Sequence, residues 1–284
     1  MLPCQHKEGI TMTKKMVFVD TSLCTGCRAC SVACKAWNEL PAEKNKLITS
    51  YQSQKGTTPK TWTYVSFHEK YENGKMKWLM FKHQCYHCED PSCMKACSSK
   101  AISKTKSGYT VVDYDKCIGC GYCVANCPWG VPKVDKTTNK VRKCTGCIDR
   151  VENGLEPACV STCQPGALSF GDRDQMLKKA KDRLAEVKKT HPKANLYGDQ
   201  IMGGTTYLYL LLDDPDVYGV PASPAAPVSL TLWKDIIHPL GGIAAGVAGA
   251  AIVLGVVANA VRGNYSKRLE DNAGVESHID GEGR

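Results

Sequence analysis

No nucleophile paired with a base, no glycine-rich phosphate loop and no substrate-shaped constellation occurs along the 284 residues. The chain is therefore not expected to be catalytic on its own. Residues Met1 to Lys15 hold neither an apolar h-region nor a twin arginine, so a signal peptide of the usual kind is not expected. Histidine is scarce, seven residues in all.

Cysteine, by contrast, is abundant. Of seventeen, sixteen fall into four groups of four. Group three, Cys117, Cys120, Cys123 and Cys127, reads C-x2-C-x2-C-x3-C-P, the run in which three thiolates hold one [4Fe-4S] cube and the fourth serves a neighbouring cube. Group one, Cys24, Cys27, Cys30 and Cys34, repeats the spacing with Lys35 in place of the proline. Group two, Cys85, Cys88, Cys93 and Cys97, has two extra residues before its third member. Group four, Cys144, Cys147, Cys159 and Cys163, has eleven residues between its second and third. The last gap is x3 in every group, which suits a final thiolate one helical turn after the third. Zinc closes its shell with four ligands and needs no third cysteine at x2. Disulfide scaffolds belong to short exported chains that cannot build a core. Iron–sulfur chemistry fits the spacing best.

The formal charge of +9 then needs no nucleic acid. Each oxidised cube with its thiolates carries roughly −2, so four cubes offset most of it. His87, between two cysteines of group two, is expected in the surroundings of the site or at the surface. Cys4 is read as a tail thiol, and a start at Met12 or Met16 removes it.

Met16 to Asp20 reads as a strand leading into group one. Trp62 to Glu69 and Lys77 to Lys82, around Asn73-Gly74, read as a β-hairpin. Ala101-Ile102 and Tyr109 to Asp113 form the internal hairpin that joins groups two and three into one ferredoxin-like unit. Groups one and four are left to pair across the sequence as a second unit. Lys133 to Lys143 is a turn-and-strand segment, and Ala167 to Phe170 a short strand. Asp172 to Thr190 reads as an amphipathic helix with Asp172 as its N-cap, and Thr205 to Leu212 as an apolar strand.

A proline-rich stretch, Pro221 to Pro227, precedes twenty-two uncharged residues, Leu240 to Val261, enough to cross a bilayer. Trp233 and Tyr265 bracket them. Arg262, Lys267 and Arg268 follow the span and only Lys234 closely precedes it, so the C-terminus is expected in the cytoplasm and the cluster domain on the periplasmic face of the inner membrane. Gly242 and Gly246 form a GxxxG on which another membrane helix can pack.

The expected fold is α+β: two bacterial ferredoxin-like units with four [4Fe-4S] sites, plus one C-terminal transmembrane helix. Its segments are an N-terminal extension (1–15), a double ferredoxin-like domain (16–220), a linker and interfacial segment (221–239), the span (240–261) and a cytoplasmic tail (262–284). Such a chain is a wire that holds redox centres in a row.

The runs Cys24 to Asn38, Cys85 to Cys93 and Asp149 to Cys159, with the C-terminal span, resemble the iron–sulfur (beta) subunit of membrane-bound respiratory formate dehydrogenase. The resemblance covers most of Val17 to Val261. It implies an electron-transfer role beside a molybdenum- or tungsten-pterin catalytic alpha subunit and a membrane cytochrome b gamma subunit that reduces quinone. It also implies shared ligands. One cube is expected on Cys24, Cys27, Cys30 and Cys163, and its neighbour on Cys144, Cys147, Cys159 and Cys34. In the other unit Cys85, Cys88, Cys93 and Cys127 hold one cube, and Cys117, Cys120, Cys123 and Cys97 the other. Export is expected alongside a signal-bearing catalytic subunit. Two departures are Gln164, where many relatives carry proline, and the extension Met1 to Lys15. Related alternatives are the equivalent subunit of a periplasmic nickel–iron hydrogenase or of a polysulfide, thiosulfate or dimethyl sulfoxide reductase. A zinc-stabilised, membrane-tethered interaction protein is the alternative from another class.

Overall fold

The computed structural model describes residues 13–44, 46–49, 51–72, 74–227, 230, 237 and 246–260. The protein divides into two units, Met1–Leu230 and Thr231–Arg284.

In the first unit β1 (Lys15–Asp20) lies in a four-stranded sheet of order β8-β1-β10-β9. It pairs antiparallel with β8 (Leu168–Asp172) and parallel with β10 (Tyr207–Leu211), which pairs antiparallel with β9 (Asn195–Tyr197). Every residue of β10 is buried. Its continuous apolar run is what a strand covered on both faces requires. Alternation sends Met16, Phe18, Leu208 and Leu210 to one face, against Ala180 and Val187 of α6 (Arg173–Val187). Val17, Val19, Tyr207, Tyr209 and Leu211 line the other face and pack into the core that contains Cys30 and Cys159. The sheet is thus a floor beneath the cysteines.

Asp172 stands at the start of α6 as expected, yet its carboxylate does not cap the helix. It accepts from Lys15 Nζ at 2.7 Å and from the Thr13 hydroxyl, so an ion pair to the neighbouring strand replaces the expected cap. The helix is held from its far side instead. Arg183 reaches Asp20 Oδ2 at 2.8 Å and Ser22 Oγ at 3.2 Å, steadying the turn that delivers Cys24.

The remaining strands form hairpins: β2 (Tyr64–Glu72) with β3 (Lys75–His83), β4 (Ile102–Lys104) with β5 (Thr110–Val112), and β6 (Lys133–Asp135) with β7 (Lys140–Arg142). The long β2–β3 hairpin is fixed to the loop after β10 by Lys70 Nζ, 2.5 Å from Asp213 Oδ2. Burial alone pushes the Asp213 carboxyl up, but the Lys70 hydrogen bond and the Asp214 N–H outweigh it and hold the group below its ordinary 3.8. A carboxylate with a depressed folded-state value contributes fully above the ordinary value and loses that contribution only as the pH falls below it. Asp213→Asn is therefore expected to lower stability by about 1–2 kcal/mol, discounted for the partly exposed lysine. Thermal melts at about pH 5 and about pH 8 check the sign, because the deficit is expected to be equal at both.

In the second unit residues 246–260 form one helix, with all of them exposed. The rest of the expected span, Leu240 to Val261, lies outside the described residues. Among the described residues no helix is long and apolar enough to cross a membrane.

Candidate metal centres

Each cysteine group starts in a loop and ends on or just past a short helix. The third cysteine lies in the opening turn of a helix in all four: Cys30 in α1 (Ala29–Trp37), Cys93 in α2 (Ser92–Lys95), Cys123 in α3 (Tyr122–Ala125) and Cys159 in α5 (Ala158–Ser161). The final cysteine follows one turn later, as the x3 gap requires. The residue before the second cysteine is left-handed in every group: Gly26, His87, Gly119 and Gly146, with φ of 68°, 49°, 71° and 70°. His87 thus takes a glycine's place. It is buried, and its Nδ1 accepts from the Thr110 N–H at 3.0 Å, so it belongs to the surroundings of the site and not to the surface.

The thiols meet across the groups. Cys24, Cys27, Cys30 and Cys163 line one cavity, quartet I, together with Val19 of β1 and Met80 of β3. Cys97, Cys117, Cys120 and Cys123 line another, quartet IV. Burial is the leading cause of the upward shift at Cys34, and the neighbouring thiolates that add to it are Cys144, Cys159 and Cys147, which with it make quartet II. At Cys88 burial again leads, followed by Cys85, Cys93 and Cys127, quartet III. The structure thus brings cysteines of groups one and four together, and cysteines of groups two and three.

Packing between quartets gives their order. Cys30 shares one core with Cys159, Cys34 and Cys144 share another with Cys85 and Cys127, and Cys93 packs with Cys117 and Cys123. The quartets run I, II, III, IV in a row. Cys27 in the first and Cys120 in the last are exposed, so each end of the row reaches the surface. Leu23 and Val32 flank one end in sequence and Ile118 and Tyr122 the other, all exposed.

What these pockets fit follows from their chemistry. Burial pushes Cys30 and Cys144 up to about 11 and Cys93 and Cys147 up to about 12. Thiolates are stable there only beside added positive charge, which coordinated iron supplies. All sixteen are free of disulfides. Among the described residues no three or more His, Cys, Asp or Glu groups converge on a single-ion site. A cube takes one thiolate on each of four irons, whereas zinc draws its four ligands onto a single ion. The hydroxyls of Ser92 and Tyr86 are buried with no partner among the described residues, each next in sequence to a cysteine of the set. An occupant that accepts hydrogen bonds, such as inorganic sulfide, fits them. Backbone N–H groups already point at sulfur: Ala101 to Cys97 at 3.3 Å, Val141 to Cys117 at 3.5 Å and Gly146 to Cys144 at 3.3 Å.

Side chains outside the ligand set lock groups one and four together. The Trp37 indole N–H donates to Asp149 Oδ2 at 2.7 Å, and the Arg150 guanidinium lies 4.3 Å over the Trp37 ring. Arg150 also donates to the Glu156 carbonyl at 2.7 Å, bracing the eleven-residue insertion around α4 (Ile148–Glu152). Two features had no signal in the cysteine spacing. Lys82, near the end of β3, lines the cavity of quartet I, and Lys143, beside Cys144, is also buried. A lysine inside the apolar run Trp78 to His83 is the one clue the sequence offers to the first.

The fold and its quartets define a four-cluster ferredoxin-type electron-transfer protein. Two models of a 4Fe-4S dicluster domain match the protein, over residues 23–101 and 76–173, and four [4Fe-4S] clusters are its cofactors. The iron–sulfur subunit of the nitrate-inducible formate dehydrogenase of Escherichia coli is 43% identical over 227 residues, covering 78% of this protein and 77% of the relative. The formate dehydrogenase iron–sulfur subunit of Haemophilus influenzae is 41% identical over 234 residues, covering 80% and 75%. The B subunit of the anaerobic dimethyl sulfoxide reductase of Escherichia coli is 39% identical over 172 residues, covering 59% and 78%. The protein belongs to the family of formate dehydrogenase iron–sulfur subunits.

Proposed function

We propose that this protein carries electrons from formate oxidation, taken from a molybdenum- or tungsten-pterin alpha subunit, along quartets I to IV to a membrane cytochrome b and quinone. The observation that carries the reading is the row of four cysteine quartets with an exposed thiol at each end. Each quartet is the ligand set of one cube, and the clusters, when bound, store and pass single electrons. The protein supplies burial, thiolates and N–H donors that set how readily each site accepts charge.

Kinship with formate dehydrogenase iron–sulfur subunits supports formate as donor and a catalytic subunit as partner. The uncharged segment 240–261 anchors the protein as a single span, with the cluster domain on the periplasmic side and the C-terminus in the cytoplasm. The apolar, exposed helix at 246–260 is consistent with burial in lipid or against a membrane subunit. Kinship with the B subunit of a dimethyl sulfoxide reductase favours one second reading, in which the wire runs toward a sulfoxide-type reductase.

The test is the visible absorbance of the detergent-solubilised complex, recorded anaerobically before and after formate. Formate is expected to bleach the broad iron–sulfur band. If dithionite bleaches it and formate does not, the donor is wrong and the second reading takes its place.

A further inference from the structure

Two lysines are buried in the row of quartets. Lys82 is 3% exposed and Lys143 is 2% exposed. Neither forms an ion pair with a carboxylate among the described residues. A buried charge of this kind is costly unless something opposite in sign lies close.

Lys82 has a built seat. Its Nζ donates to Gln84 Oε1 at 2.7 Å and lies 5.2 Å from the centre of the Tyr207 ring. The Gln84 amide donates in turn to the Tyr209 hydroxyl, which donates to the Lys82 carbonyl at 2.9 Å. The side chain lines the cavity of Cys24, Cys27, Cys30 and Cys163. Lys143 is held by two carbonyls, those of Thr110 and, at 3.1 Å, Cys144. None of these partners carries a charge.

The compensation comes from the thiolates. The Tyr207 ring on which the Lys82 ammonium lies packs in one core with Cys30 and Cys159. Those are residues of quartets I and II. Lys143 adjoins Cys144 of quartet II and bonds its carbonyl, and the Thr110 whose carbonyl it also bonds donates its N–H to His87, which lies between Cys85 and Cys88 of quartet III. One cation therefore stands at the junction of the first and second sites, the other at that of the second and third.

We propose that Lys82 and Lys143 are potential-setting residues: fixed buried charges that raise the reduction potentials of the clusters on either side, Lys82 at quartets I and II and Lys143 at quartets II and III. Adding an electron takes a cube with its thiolates from about −2 to about −3, so a fixed neighbouring cation favours the reduced form. Quartet IV lies beyond both and has its own cation, Lys140, whose Nζ donates to the Cys117 carbonyl at 2.6 Å. The long β2–β3 hairpin, which contributes no cysteine, has the task of delivering Lys82.

The proposal rests on the quartets being cluster ligands, and its test separates the two. The holo-complex is titrated with reductant and followed by EPR, with signals assigned from the cysteine variants. Lys82→Met is expected to change the oxidised-to-reduced ratio at quartets I and II by roughly tenfold at a fixed potential, a downward shift of about 59 mV for a one-electron couple. Quartet IV is expected to keep its potential, and Lys82→Arg to restore the first two. Lys143→Met is expected to move quartets II and III. Unchanged potentials in Lys82→Met with full iron and labile sulfide overturn the proposal and leave the wire intact. Should Lys82→Met bind less iron, Lys82→Gln and Lys143→Met give the same reading. Cluster loss in every neutral variant, beside normal potentials in Lys82→Arg, assigns the lysines to assembly and also overturns it. Absence of iron–sulfur signals in the parent protein sinks the ligand assignment itself.

Discussion

Cys127→Ser is expected to remove the cluster of quartet III and to leave that of quartet IV in place. Sequence adjacency suggests the reverse, because Cys127 is only four positions from Cys123 of quartet IV. The helical turn over Tyr122–Ala125 separates the two thiols and sends them to different sites. Burial pushes the Cys127 thiol up, while N–H groups of Val131, Trp129 and Gly130 and the nearby Cys85 mark where its sulfur sits. Serine lacks the soft, readily ionised sulfur that iron needs in this buried place. Iron content is expected to fall from about sixteen to about twelve atoms per protein. In EPR spectra the signal that also vanishes in Cys88→Ser is the one expected to go. Loss of the Cys120-dependent signal instead would refute the shared ligation.

The second large effect concerns Gly146, between Cys144 and Cys147. Its φ is +70°, and a Cβ built there meets Tyr109 Cδ1 at 2.1 Å and Cε1 at 2.5 Å. Tyr109 is wholly buried, so its ring has no free space to move into. Gly146→Ala combines left-handed strain of about 1–2 kcal/mol with overpacking of about 1–3 kcal/mol, a sum of roughly 2–5 kcal/mol. That is a large share of an ordinary domain's stability, and it falls on the loop that carries two ligands of quartet II. Gly154, with φ +76° and nothing within 4 Å of a built Cβ, supplies the control. Gly154→Ala is expected to cost only the backbone strain, about 1–2 kcal/mol. Melting temperatures and iron content of the two variants decide the matter. Equal losses would mean that the Tyr109 contact is not what fixes glycine at this position.

Much of the site was legible because a cube makes demands that are local. Thiolates at x2 and x3 spacing on a loop and a helical turn are a covalent necessity, and all four groups adopt that form. Even the group-two exception, with His87 in a left-handed place, preserves the loop shape. The hairpins at 64–83 and 102–112 were readable from alternation and turn residues, and β10 from its unbroken apolar run. The paired residues Trp37 and Arg150 were visible only as part of a resemblance. Their reason, a clamp between groups one and four, depends on two helices meeting.

What sequence could not supply is set by contacts between distant segments. The parallel pairing of β1 with β10 joins the two ends of the cluster domain, and no local pattern specifies which strand a buried strand will meet. Asp172 carried the right residue type for a cap, but the ion pair to Lys15 claimed its carboxylate once β1 and β8 were side by side. Lys82 and Lys143 read as ordinary lysines in a basic protein. Their burial beside the quartets arises only when a hairpin and a ligand loop close over the same core. By itself, then, the sequence set sixteen cysteines apart in four groups and limited the chemistry they can hold, because ligand spacing is local. The tertiary structure decided the order of the row and which charges stand within it, because order and burial depend on how remote surfaces pack.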